Sequence, residues 1–254
     1  VGARIEAAVA RTRDAAACNT NLGIVLLCAP LAAAFEALSP DVSPERFSVA
    51  VRRVLAGLTI DDASAAYRAI ALANPGGLGE AASQSVGAPP TVDLRAAMCL
   101  AADRDSIARQ YAIDFLDVLD FGIAQFRAAL DARTASPSAL LDAVLATWLS
   151  FLARWPDSHI ARKHGLAVAQ RVTQEAAVWL VQAAHGAIDP RALDAWDSAL
   201  KADGINPGTS ADLTVATLFA SACLDPSLMH LSRLDNQLAR RRKGRRGRDH
   251  CSGY

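Results

Sequence analysis

Leu22-Gly-Ile-Val-Leu-Leu-Cys-Ala-Pro-Leu-Ala-Ala-Ala-Phe35 is the stretch on which the fold turns. No charge interrupts it before Glu36. A bilayer needs about 20 apolar residues; this run is shorter and contains Pro30, so it reads as a helix buried among other helices. Outward from it, apolar residues recur at three- and four-residue spacing and alternating β-branched runs are missing, so helix is expected almost throughout. Of the 254 residues, 52% are hydrophobic but only 6% aromatic. The apolar surface is therefore mainly Ala, Leu and Val, which suits closely packed helices.

The expected fold is all-α, a single multi-helix bundle of about ten helices. Helices are expected at 3–17, 20–38, 44–56, 60–73, 93–102, 105–132, 137–154, 158–186, 189–202, 210–223 and 226–243. Breakers such as Ser39-Pro40, Ser136-Pro137, Trp155-Pro156 and Asp189-Pro190 separate them. The longest irregular stretch, 74–91, exceeds an ordinary helix connection. A chain of this size fits one core, so residues 1–239 are expected to form a single catalytic domain. Residues 240–254 are expected to be a basic, flexible tail, because Arg240–Arg248 holds seven of the 26 Lys and Arg residues. Without the tail the chain is acidic by about six charges and offers no broad nucleic-acid footprint.

Cys18, Cys28, Cys99, Cys223 and Cys251 are odd in number and show no C-x-x-C spacing, which fits a reducing cytoplasm better than a disulfide framework or a zinc site. Arg4, Glu6, Arg11, Arg13 and Asp14 exclude a signal-peptide reading of the first residues. No initiator Met is present, so a truncated or processed chain is expected. No membrane contact is expected, and the oligomeric state is not legible.

Polar residues gather in islands, each after a Gly or Pro break and at a helix start. Asp157-Ser-His-Ile-Ala-Arg-Lys-His-Gly165 packs His159, Arg162, Lys163 and His164 into little more than one turn. Asp157 is placed to cap the helix; the cations fan over a wide arc and suit a polyanion. In Asn206-Pro-Gly-Thr-Ser-Ala-Asp212, Thr209-x-x-Asp212 resembles a capping box with Asp in place of Glu. Gly208 and Ser210 can face an anion at the same helix start, and Asp212 can take Mg²⁺. Asn19, Thr20 and Asn21 stand before the apolar helix, where a cap needs only one of them. Asp105 and Arg109 have the spacing of a helix ion pair. Asp61 and Asp62 read as a helix start or as a metal-binding pair, and Glu80 lies in the long loop, where it can close over a site. No hydrolase triad, P-loop or dinucleotide fingerprint is present.

Asn19-Thr20-x-x-Gly23, Gly79-Glu80-Ala81, the 157–165 island and Asn206-x-Gly208-x-Ser210-Ala211-Asp212-Leu213 together resemble the triphosphoribosyl-dephospho-coenzyme A synthase family, in order and spacing across nearly the whole chain. The resemblance implies an all-α, cytoplasmic enzyme that moves the triphosphoribosyl group of ATP to 3′-dephospho-CoA and releases adenine. It implies substrate contacts from Asn19, Thr20, Asn21, Asn206, Gly208 and Ser210, with His159, Arg162, Lys163 and His164 around the triphosphate. Within that frame Asp212 with Asp61 or Asp62 would place Mg²⁺, Asp105 or Asp157 would be the base, and Glu80 is the family's Gly-Glu-Ala acid. Two departures stand out. The family's Asn-Thr-Asn and His-Arg-Gly-Gly island is here Asp157-Ser158-His159 and Arg162-Lys163-His164-Gly165, and the amino-terminal Lys-Pro-Gly-Asn segment of relatives is absent. They leave open a nucleotide or phosphoribosyl transferase with another acceptor, in one-carbon or pterin cofactor metabolism, and a non-catalytic helical scaffold.

Overall fold

The computed structural model describes residues 1–16, 21–38, 42–73, 88–132 and 138–228. Asn19, Thr20, Glu80, the expected tail and nearly all of the expected helix 226–243 lie outside them. Among the described residues there are twelve α-helices, a π-helical turn and no strand. The helices are α1 (Gly2–Ala16), α2 (Leu22–Glu36), α3 (Pro44–Ala56), α4 (Ile60–Ala73), α5 (Leu94–Cys99) and α6 (Ser106–Ala112). After the π-helical turn Asp117–Gly122 come α7 (Ile123–Asp131), α8 (Ala139–Arg154), α9 (Ser158–His164), α10 (Leu166–Ala184), α11 (Pro190–Ala202) and α12 (Gly208–Leu224). No helix among the described residues is long and apolar enough to cross a membrane.

The apolar run is indeed a buried helix. α2 packs against α1, α3 and α12, with Leu26, Leu27, Leu31 and Ala34 buried. Pro30 sits inside it and has no N–H to give the Leu26 carbonyl one turn back. Tyr111 supplies the missing donor: its Oη, at the end of α6, donates to Leu26 O at 2.7 Å, and its ring is fully buried. Burial first, and the charge of Asp62 second, push that phenol far above its ordinary range, so it stays a donor.

Two long expected helices are broken. The segment 105–132 carries no Pro and only Gly122, yet α6 stops at Ala112 and Asp114 and Phe115 adopt φ of 56° and 61°. The cause lies elsewhere in the chain. Arg95 donates from Nε to the Tyr111 carbonyl at 3.1 Å and from Nη2 to Asp114 at 2.6 Å, while Phe115 is fully buried beside Tyr111. Left-handed geometry at two non-glycine residues costs of order 1–3 kcal/mol each, which the aromatic burial and the Arg95 ion pair offset. The expected helix 158–186 divides at Gly165, whose φ of 89° and ψ of 159° suit glycine alone. α9 is thereby freed from the axis of α10.

Two apolar clusters result. The larger surrounds α2 and includes Ile5, Phe47, Leu94, Phe115 and Leu213. The smaller is built by Leu149, Leu152, Ile160, Val172, Leu200 and Ile205, with Trp148, Trp179 and Trp196 against it. α8 serves both, offering Phe151 to the first and Leu149 and Leu152 to the second.

Tyr111→Phe strands the Leu26 carbonyl and is expected to cost about 1–3 kcal/mol in urea denaturation. In a Pro30→Ala background the helix regains its own donor, and the same substitution should cost clearly less.

Candidate active site

A single buried carboxylate joins the amino ends of α9 and α12. Asp157, only 2% exposed, caps α9 in the expected way, its Oδ1 accepting from the amides of His159 at 2.9 Å and Ile160 at 3.2 Å. Its Oδ2 accepts from both the amide and the hydroxyl of Ser210, each at 2.8 Å. Thr209 closes the junction from the other side, its Oγ1 accepting from the His159 amide at 3.2 Å. The chain enters α12 through a tight turn in which Gly208 N donates to Asn206 O at 2.8 Å, with Pro207 at φ −74° and ψ 56°.

α6 is tied to the same place. Asp105 caps it through bonds to the amides of Ile107 and Ala108, and the Ser106 amide donates to Ser158 Oγ at 2.8 Å, with the two hydroxyls 2.9 Å apart. Arg162 crosses from α9, its Nη1 donating to Asp105 Oδ2 at 3.3 Å and its Nη2 lying 3.3 Å from His159 Nδ1. A guanidinium only donates, so Nδ1 is the acceptor and a neutral His159 carries its proton on Nε2. Burial, then the charge of Arg162, lower the His159 pKa, against an opposing pull from Asp157. The ring is neutral at neutral pH.

α2 supplies the fourth side. A Cβ placed on Gly23 would stand 2.0 Å from Asp212 Oδ2 and 2.7 Å from Ile107 Cδ1, so only glycine lets α2 come this near. The Ile24 amide donates to Asp212. Burial, reinforced by the charges of Asp157 and Asp105, pushes the Asp212 carboxyl up to about 7 despite that bond. A carboxyl poised there can accept or give a proton at physiological pH.

The family model described as CitG: ATP:dephospho-CoA triphosphoribosyl transferase matches residues 1–230. The chain belongs to this family. It is therefore a transferase of the triphosphoribosyl-dephospho-CoA synthase type. A solved structure from Archaeoglobus fulgidus, named as a triphosphoribosyl-dephospho-CoA synthase, is 23% identical and superposes with a TM-score of 0.67, covering 89% of this chain and 90% of that one. At that identity the likeness carries the fold. No curated protein matches the chain.

Within this CitG-family fold the structure brings Asp105, Asp157, His159, Arg162, Gly208, Ser210 and Asp212 to one junction. Asn206 stands beside it, its Nδ2 3.5 Å from a Cβ placed on Gly208, with His159 Cγ 3.7 Å from the same point. Lys163 is exposed one residue beyond Arg162. His164 turns away, its Nε2 lying 3.0 Å from Gly204 O, so the three consecutive basic residues do not close as one clamp. Asn21 begins α2 without a side-chain cap and donates to Thr12 Oγ1 at 2.9 Å.

The expected metal set is not assembled. Asp61 is an exposed first-turn residue of α4. Asp62 is occupied by the Val1 amine, the Gly2 amide and the amide and hydroxyl of Thr59. Burial opposes ionisation there, yet these donors outweigh it and bring the carboxyl down to about 2. Among the described residues no three His, Cys, Asp or Glu side chains stand together as a metal site. Gly23, Ser106, Ser158 and Thr209 join the junction as well; all four lie within the polar stretches of the sequence, but nothing in it signals the bonds from Ser106 to Ser158 and from His159 to Thr209.

Asp157→Ala removes four hydrogen bonds and is expected to cost about 2–4 kcal/mol in chemical denaturation. Asp189→Ala removes the ordinary exposed cap of α11, which accepts only from the Arg191 amide, and should cost about 1 kcal/mol.

Proposed function

We propose that this chain transfers the triphosphoribosyl group of ATP to the 2′-hydroxyl of 3′-dephospho-CoA, with release of adenine, at the junction of α2, α6, α9 and α12. Family membership supports the reaction. The observation that carries the site is Asp212, a carboxyl titrating near 7 within a cluster that also holds a neutral imidazole and a guanidinium.

The chemistry asks for a base at the acceptor and for cations at the donor. The acceptor oxygen attacks C1′ of the ATP ribose as the bond from C1′ to adenine N9 breaks, the electron pair leaving with adenine. Asp212 takes the hydroxyl proton, and adenine takes a proton from water. The other two carboxylates are less suited to the role of base: Asp157 is filled by four donors, and Asp105 by two amides and Arg162. Their contribution is their charge, which raises the affinity of Asp212 for a proton. The His159 Nε2–H and the exposed Lys163, which shares a helix stripe with His159, would donate to the triphosphate beside the positive charge of Arg162. Most amides at the α6, α9 and α12 tips are already taken by side chains, so these side-chain donors, rather than bare helix ends, would hold the anion. Among the described residues no resident Mg²⁺ site is formed, and Mg²⁺ would enter as the ATP complex, a common arrangement for this ion.

Asp212→Asn is expected to lower adenine release from ATP in the presence of dephospho-CoA by about 10²–10⁴-fold. Wild-type kcat/KM should rise with pH through about 7, as Asp212 gives up its proton. Stability moves the other way. A carboxyl whose folded pKa is raised binds its proton more tightly when folded, so the wild type loses stability as pH climbs from about 4, the ordinary carboxylate value, to about 7. The gain in Tm of Asp212→Asn over wild type should therefore be larger at pH 8 than at pH 5. Full activity in the variant would remove Asp212 from the mechanism.

A further inference from the structure

A concave feature lies away from this junction. Between α8, the turn after α10 and α11 is a cleft of about 600 Å³ lined by Leu145, Trp148 and Trp196 and by three carboxylates, Asp142, Asp194 and Asp197. The Trp148 and Trp196 rings stand 6.0 Å apart, and Trp196 is fixed by its Nε1 bond to Glu175 at 2.8 Å. Asp197 pairs with Lys201, whose ammonium also feels the charge of Asp194. Carboxylates in this number repel phosphate, so the cleft is no second nucleotide site. Indole faces beside carboxylates select an organic cation, and a guanidinium fits best because it stacks on the ring and hydrogen-bonds to the acid at once. The cleft is also remote from the junction: from Asp142 to Arg154 along α8 is about 18 Å at 1.5 Å per residue.

We propose that this cleft receives arginine side chains of the chain's own segment Arg240–Arg248. Charge supports the pairing, since that segment holds seven basic residues while the rest of the chain is net acidic. Geometry supports its reach. α12 runs antiparallel to α8, because Asp157 meets Ser210, and Phe151 and Thr217 flank Gly122 together. Extending that register places Leu224, the end of α12, level with Leu145 at the cleft. Residues 229–239 separate Leu228, the last described residue, from Arg240. Eleven residues can span at most about 36–40 Å, ample to pass round a helix about 10 Å thick.

The test is limited trypsin digestion of the full chain, with cleavage after residues 240–248 followed by mass spectrometry. At low salt the wild type should be cut there several-fold more slowly than the Asp194→Asn/Asp197→Asn double variant, and high salt should erase the difference. A free peptide of sequence 240–248 should speed cleavage of the wild type and leave the variant unchanged. Because both substitutions are on the outer surface of α11, an unchanged Tm serves as the folding control. Equal rates at low salt, or protection that survives high salt, would overturn the proposal. Protection that grows with protein concentration would assign the cleft to the segment of a second copy and overturn the pairing within one chain.

Discussion

The buried charge of Asp157 is the constraint on which the rest of the site depends. A carboxylate at 2% exposure is tolerable only if its oxygens are satisfied, and here four donors from two helices do so. Each pair of donors sits at a helix amino end, where a negative charge is also favoured by the helix dipole. Asp157 thus fixes α9 against α12. The same charge, acting with Asp105 on a carboxyl already raised by burial, is what makes Asp212 reluctant to ionise. Structural and chemical roles are divided between two acids on facing helices, and the first sets the second.

α2 transmits the constraint to the core. Its first turn reaches Asp212 because Gly23 has no side chain. Further along, Pro30 leaves a carbonyl that Tyr111 satisfies from α6, and Arg95 holds the end of α6 through Tyr111 O and Asp114. α6 in turn presents Asp105 and Ser106 to α9. A polar thread therefore runs from a proline in the most apolar helix to the arginine beside the candidate triphosphate cradle. Strain at Asp114 and Phe115 belongs to that thread rather than to a loop.

What the sequence made legible was local. The bounds of α3, α4, α8 and α11 follow from helical spacing together with Ser43-Pro44, Asp189-Pro190 and the Trp155-Pro156 break, since caps and prolines act within a turn of where they stand. Asp157 as a cap was readable for the same reason. Its bond to Ser210, 53 residues on, was not, nor was the contact of Gly23 with Asp212, because nothing in either neighbourhood encodes the partner. The turn at Asp114 was hidden because its cause is Arg95, on another helix. Asp61 and Asp62 do stand at a helix start, as the sequence suggests first; their second reading, as metal ligands, fails because the Val1 and Gly2 donors that occupy Asp62 come from the start of another helix.

Hydrogen exchange with and without ATP tests the central claim, that separate helix tips form one nucleotide site around Asp212. Binding should slow exchange together at Ile107–Arg109, His159–Lys163 and Gly208–Leu213, segments far apart in sequence that the Asp157 and Ser106 bonds join. Slowing confined to α10 and α11 around the tryptophan cleft, or no slowing at saturating ATP, would contradict it.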